Sequence, residues 1–142
     1  MFGKRKPSKQ ELHATSLERR AAARLVDAAD SGDVHATTLL LEIGVSPNGH
    51  DPGDASALIR ASDVGHLEIT KLLVAAGAEV NYEDDIGNTA LNCAANGGFS
   101  AIMSLLFEAG ATVCRPNRFG ATPLKYASEH PVCIALLRNA GA

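Results

Sequence analysis

Covalent or acid–base chemistry needs a reactive side chain with a partner in reach, and here the candidates are scattered. The five histidines, His13, His35, His50, His66 and His130, stand far apart. Cys93 has no histidine near it in sequence to draw off its proton, as an activated nucleophile requires. The carboxylate run Glu83-Asp84-Asp85 has the composition of a metal or acid–base cluster. A calcium loop, however, places ligands at alternate positions and ends on a distal glutamate, and this run does neither. No glycine-rich segment follows a strand and opens a phosphate-binding helix. These residues predict no catalytic, cofactor or metal site, and an enzyme built on Cys93 or Glu83 is the weakest alternative.

Composition narrows the class further. The chain has 142 residues, 46% of them hydrophobic, which is enough for the core of one domain. Aromatics are only 4% and tryptophan is absent, which suits a core of Leu, Ala and Val in thin helical layers. No run approaches the length of a membrane span, and residues 1–15 lack the apolar stretch of a secretory signal. Cys93, Cys114 and Cys133 are odd in number and lack metal-ligand spacing, so free thiols in a reducing compartment are expected. That places the chain inside the cell, in the cytoplasm, with the nucleus as the alternative through Lys4-Arg5-Lys6. Met1 to Arg24 carries seven basic and two acidic residues, a net +5, and the remainder carries six and fourteen, a net −8. Residues 1–15 form a basic leader expected to be disordered, and a helix is expected from about Glu11 to Ala29. Its apolar stripe is Leu17, Ala21, Ala22, Leu25 and Ala28-Ala29.

What positions every one of these residues is a repeat of 33. Gly87 to Val113 lies over Asp54 to Val80 when shifted back by that step, and its first half lies over Gly120 to Pro131 when shifted forward. Gly32, Gly65 and Gly98 form one column, and Gly44, Gly77 and Gly110 another. Leu25, Leu58, Leu91 and Leu124 form a third, with Ala28, Ala61, Ala94 and Ala127 three residues on. Leu39-Leu40, Leu72-Leu73 and Leu105-Leu106 keep the same step. Within one unit, Leu91, Ala94 and Ala95 mark a short helix that Gly97-Gly98 ends. Ile102, Leu105, Leu106 and Ala109 mark a second helix, closed by Gly110. The next stretch, Ala111 to Thr122, has turn residues and no helical period, so a protruding hairpin-like loop is expected. A pair of short helices cannot bury both its faces alone and must stack on its neighbours.

These residues resemble the ankyrin repeat family, a turn and two helices with a T-P-L-H-x-A core. The matching segments are Thr122-Pro123-Leu124-Lys125-Tyr126-Ala127, Thr89-Ala90-Leu91-Asn92-Cys93-Ala94 and, more weakly, Ser56-Ala57-Leu58-Ile59-Arg60-Ala61. The resemblance implies an all-α solenoid of stacked helix-turn-helix units with hairpin-like loops. It covers residues 16–142, in units of about 16–53, 54–86, 87–119 and 120–142. Ile59, Asn92 and Lys125 replace the core histidine, which rearranges the hydrogen bonds it makes. His66 stands at the family's Gly-His position as a helix-start residue. In the last unit Pro131 replaces the glycine between the helices, giving a trimmed cap. Val132, Ile134, Ala135, Leu136 and Leu137 leave that cap little polarity, so it is expected to be sticky or weakly dimeric.

The family binds other proteins on the concave face and loop tips, and the resemblance implies the same here. The implied partner-binding residues on the tips are Asp51, then Tyr82, Glu83, Asp84, Asp85 and Asn88, then Arg115, Arg118 and Phe119. On the first helices they are Arg60 and Asp63, then Asn96, then Tyr126 and Glu129. Tip two is acidic and tip three basic, a polarity that would orient a partner. Asp51 and Asp84 also stand where the family's aspartate braces its turn. The expected role is a non-enzymatic adaptor or inhibitor. The alternative is a nucleic-acid-associated regulator using the basic leader.

Overall fold

The structure, a computed structural model, describes residues 8–142, with residues 9–14 as backbone alone. In the described residues the elements run α1 (Lys9–Ser31), α2 (Val34–Glu42), α3 (Ala57–Val64), α4 (Leu67–Ala75), α5 (Ala90–Gly97), α6 (Ser100–Glu108), α7 (Pro123–Tyr126) and α8 (Pro131–Asn139). The fold is all-α. Among the described residues, strand-like pairing is limited to one isolated bridge, His50 to Ser56. Lys4-Arg5-Lys6 lies outside the described residues. Helix α1 begins at Lys9, inside the segment expected to be leader, and Leu17, expected on its apolar stripe, is 52% exposed.

The repeat dictates each helix start. Ser56, Thr89 and Thr122 take the N-cap positions of α3, α5 and α7, and their hydroxyl oxygens accept the backbone N–H of Ile59, Asn92 and Lys125. Helices α3 and α5 end in the left-handed conformation, at Gly65 (φ 94°) and Gly98 (φ 73°). A side chain there would also strike the next unit: a Cβ on Gly65 would lie 2.6 Å from the Phe99 ring, and one on Gly98 2.6 Å from His130. The glycine column is thus set twice, by backbone conformation and by inter-unit contact.

First helices pack on first helices, and second on second, with the first-helix layer the more closely packed. Ala57, Ala61, Ala90, Ala94 and Ala127 line that layer and are buried. Their small side chains permit the close approach, and the tighter layer becomes the inner side of a curved stack. Leu25, Leu58, Ile69, Leu73, Leu91, Ile102, Met103, Leu106 and Leu137 fill the space between units and are buried to 1% exposure or less. Leu105, expected alongside Leu106 on the buried stripe, is only half-buried.

The last unit departs from expectation in where it is shortened. The residues before the second helices are His66, Phe99 and His130, so the unit loses two residues between its helices. His130, not Pro131, marks the junction, and Pro131 is the first residue of α8, where a missing N–H costs nothing. The loss leaves α7 with four residues against eight in α5. The cap is also more polar than expected. Lys125, Ser128 and Arg138 are exposed where the unit before has Asn92, Ala95 and Phe107. Val132, at 64%, is its largest exposed apolar side chain.

This packing makes a graded prediction. Leu91→Ala and Leu106→Ala should each lower stability by about 2–5 kcal/mol in urea melts, while Leu105→Ala should lose clearly less. Equal losses at positions 105 and 106 would contradict the helix orientation.

Candidate functional site

The loop tips are built by one recurring device. Asp51, Asp84 and Asn117 stand 33 apart, and each accepts two backbone N–H groups of its own turn through Oδ1. Asp51 takes Gly53 at 2.8 Å and Ala55 at 3.0 Å. Asp84 takes Ile86 at 3.0 Å and Asn88 at 2.8 Å, and Asn117 takes Phe119 at 2.9 Å and Ala121 at 3.0 Å. A main-chain bond closes each turn, from the N–H of Asp51, Asp84 and Asn117 to the carbonyls of Ala55, Asn88 and Ala121.

The first helix then supplies a side chain that reaches back to this anchor. Arg60 pairs with Asp51 at 3.1 Å, and Tyr126 accepts a hydrogen bond from the Asn117 amide at 2.9 Å. Burial works against ionisation of Asp51, but the Ala55 N–H and the Arg60 guanidinium outweigh it and hold the carboxyl below its ordinary value. Asp51 in turn raises the pKa of Arg60, helped by Asp30 and Asp63 close by. Cys93 occupies the matching place in the middle unit. Burial, with Asp63 and Asp84 near, pushes its thiol up to about 12, so it is not the thiolate a nucleophile requires.

Asn117, absent from the sequence-based site, is the hub of the third tip. It is buried, and its Nδ2 also donates to Asn88 Oδ1 at 2.9 Å, tying tips two and three together. Asn88 Oδ1 accepts from Tyr126 Oη at 3.2 Å and from Asn92 Nδ2 at 3.4 Å as well. The core position that lacks histidine thus keeps one bond through Asn92. Two more asparagines clamp units from the far side. The Asn48 side chain accepts the Glu79 N–H at 2.7 Å, and the Asn81 side chain accepts that of Thr112 at 2.8 Å. Their 33-residue spacing is the signal that marks them in the sequence.

One acidic and one basic charge of the tips pair inside the molecule, which leaves Asp84 and Asp85 on tip two and Arg118 on tip three. Arg115 and Glu83 form a two-pronged pair, Nε to Oε1 at 2.6 Å and Nη2 to Oε2 at 3.1 Å. Tyr82 is similarly committed. Its hydroxyl donates to Asp54 Oδ1 at 2.7 Å, its ring stacks on His50 at 6.1 Å, and burial with that bond pushes its pKa up to about 12. His130 lies 3.0 Å from the Asn96 carbonyl through Nε2.

Asp51, Arg60, Tyr82, Glu83, Asp84, Asn88 and Tyr126 are therefore half-buried and engaged within the fold. Asp63, Asp85, Asn96, Arg118, Phe119 and Glu129 are exposed, and their side-chain polar atoms make no hydrogen bond or ion pair among the described residues. Phe119 is 76% exposed, whereas Ile86, its equivalent one tip earlier, is half-buried where its carbonyl accepts the Arg118 N–H at 2.9 Å.

With turn, two helices and clamp defined, comparison with known families is direct. Residues 58–107 match the family model described as ankyrin repeats, many copies. These are ankyrin repeats. Ankyrin repeats are in general protein–protein interaction modules, and the family is typically non-enzymatic. No curated protein matches the chain. None of the helices among the described residues is long and apolar enough to cross a membrane.

Two measurements check this geometry. The Asp51 carboxyl titrates below its ordinary 3.8, so its stabilisation is complete above that pH and is lost as pH falls through the folded value. The stability difference between wild type and Asp51→Asn should then shrink as pH drops below about 4; a constant difference would remove the ion pair from the account. In the folded protein a thiol reagent at neutral pH should modify exposed Cys114 quickly and spare Cys93 and Cys133. Equal reactivity at Cys93 would contradict its burial.

Proposed function

We propose that the chain is a non-enzymatic adaptor or inhibitor that holds a protein partner on the first-helix side and loop tips of the stack. Residues 16–142 act as one domain of four units, with boundaries at about 53, 86 and 119. The observation that carries this reading is Phe119, a 76% exposed aromatic at the end of a row of rigid tips. Asp63 and Asn96 supply polar contacts from the first helices, Glu129 from the turn after α7, and Asp85 and Arg118 from the tips. Asp51, Arg60, Tyr82, Glu83, Asp84, Asn88, Arg115 and Tyr126 hold that surface in shape, since most of their polar atoms are already engaged. Pre-forming the tips in this way lowers the ordering cost of association.

The proposed setting is the cytoplasm, supported by three cysteines that remain free thiols. The chain acts there as a monomer, or as a weak dimer through Val132 of the cap. The second reading, a nucleic-acid-associated regulator, has the basic excess before Leu25 in its favour. It requires salt-dependent retention on DNA or RNA that vanishes on deleting residues 1–10.

Affinity capture from the native host's lysate tests the proposal. Wild type is compared with the triple variant Asp63→Ala, Asn96→Ala and Phe119→Ala, all exposed positions that leave the melt unchanged. A protein retained by wild type and lost by the variant is the expected result. Capture of nothing but nucleic acid would overturn it.

A further inference from the structure

The two ends of the stack are finished differently. The C-terminal unit places Lys125, Ser128 and Arg138 where internal units bury apolar or small groups, as a terminal repeat requires. The first unit does so only in part, with Arg24 exposed where Ala57 and Ala90 are buried. It holds Leu17, Val34, Leu39 and Ile43, at 52%, 44%, 46% and 76% exposure, most of the large exposed apolar side chains among the described residues.

Two of these, Leu17 and Ile43, face one open groove of about 1100 Å³ between the N-terminal half of α1 and the segment 43–52. Its apolar lining includes Ala21, Ala22, Val45 and Pro52. The groove is open and does not enclose its contents as a small-molecule pocket does, so a stretch of polypeptide suits it better than a metabolite. Its charge is biased. Asp51 lies at one end but is neutralised by Arg60 at 3.1 Å, whereas Arg19 and Arg20 line the groove, are exposed and make no ion pair among the described residues. Glu18 offsets one of them. The described residues offer no strand edge for an added strand, only an isolated bridge, so a helix laid beside α1 is the available docking mode.

The geometry points to a second docking surface here, away from the first-helix side: a groove for an amphipathic helix of another protein with leucine-like anchors and acidic flanks. The anchors cover Leu17 and Ile43, and the carboxylates meet Arg19 and Arg20.

The probe is a labelled synthetic peptide of about fifteen residues, long enough to hold a helix. It carries leucines at i, i+3, i+4 and i+7 with glutamates on the flanks, and a second peptide has lysine for every glutamate. Fluorescence anisotropy is read with the full chain. The acidic peptide should bind and the lysine peptide should not. Affinity should fall at least about tenfold in Leu17→Glu/Ile43→Glu and in Arg19→Ser/Arg20→Ser, as for loss of interface anchors. Phe119→Ala should bind as wild type does, which separates this groove from the tip surface. All four altered groove positions are exposed, so each variant should melt as wild type does. Equal binding of both peptides, unchanged affinity in Leu17→Glu/Ile43→Glu, or no binding of the acidic peptide would overturn the proposal. So would a concentration-dependent dimer abolished by Ile43→Glu, which would assign the groove to a second copy. Retention on anionic vesicles lost in Arg19→Ser/Arg20→Ser would assign it to a lipid surface and overturn it as well.

Discussion

A unit of two short helices cannot bury its own apolar faces, and this constraint governs the molecule. Leu91 and Leu106 disappear from solvent because units on both sides close over them. The close approach rests on alanines in the first helices and on Gly32, Gly65 and Gly98, which leave room for His66, Phe99 and His130 of the next unit. The same constraint explains the ends. Where a unit packs on one side only, polar residues replace apolar ones or apolar surface stays open; the last unit does the first, and the first unit does both.

Polar groups between units carry a second layer of order. The tip anchors Asp51, Asp84 and Asn117 satisfy their own turns. Of the three, Asn117 alone uses an amide to bridge to the tip before. Asn48 and Asn81 do the equivalent on the opposite side, and the third place in that column is Cys114, which has no amide to offer. Rigid tips with satisfied backbones can present a side chain such as Phe119 without first being ordered by a partner.

Much of this order is legible in the amino-acid sequence. The 33-residue columns place the helices, glycine turns and core leucines, because a repeat tests each assignment several times over. What the columns miss depends on side-chain reach, which spacing does not encode. Arg115 and Glu83 lie 32 residues apart and read as opposite surface charges, yet they pair directly. Tyr82 reads as an anchor because aromatics favour interfaces, yet its hydroxyl belongs to Asp54. Asn117 hides in its column because the other members are aspartates, and an asparagine there looks like loose variation rather than a donor. Spacing gives the last unit its correct shorter length, but the missing residues fall before Pro131, a point that only the position of His130 over Gly98 decides.

Nearest-neighbour stacking is the central claim, and native-state hydrogen exchange resolved by residue tests it most directly. Amides of α3 to α6 should be the best protected, with protection falling through α8 at one end and through the N-terminal half of α1 at the other. Protection in α8, or in α1 before Ala21, equal to that of α3 and α5 would contradict the account.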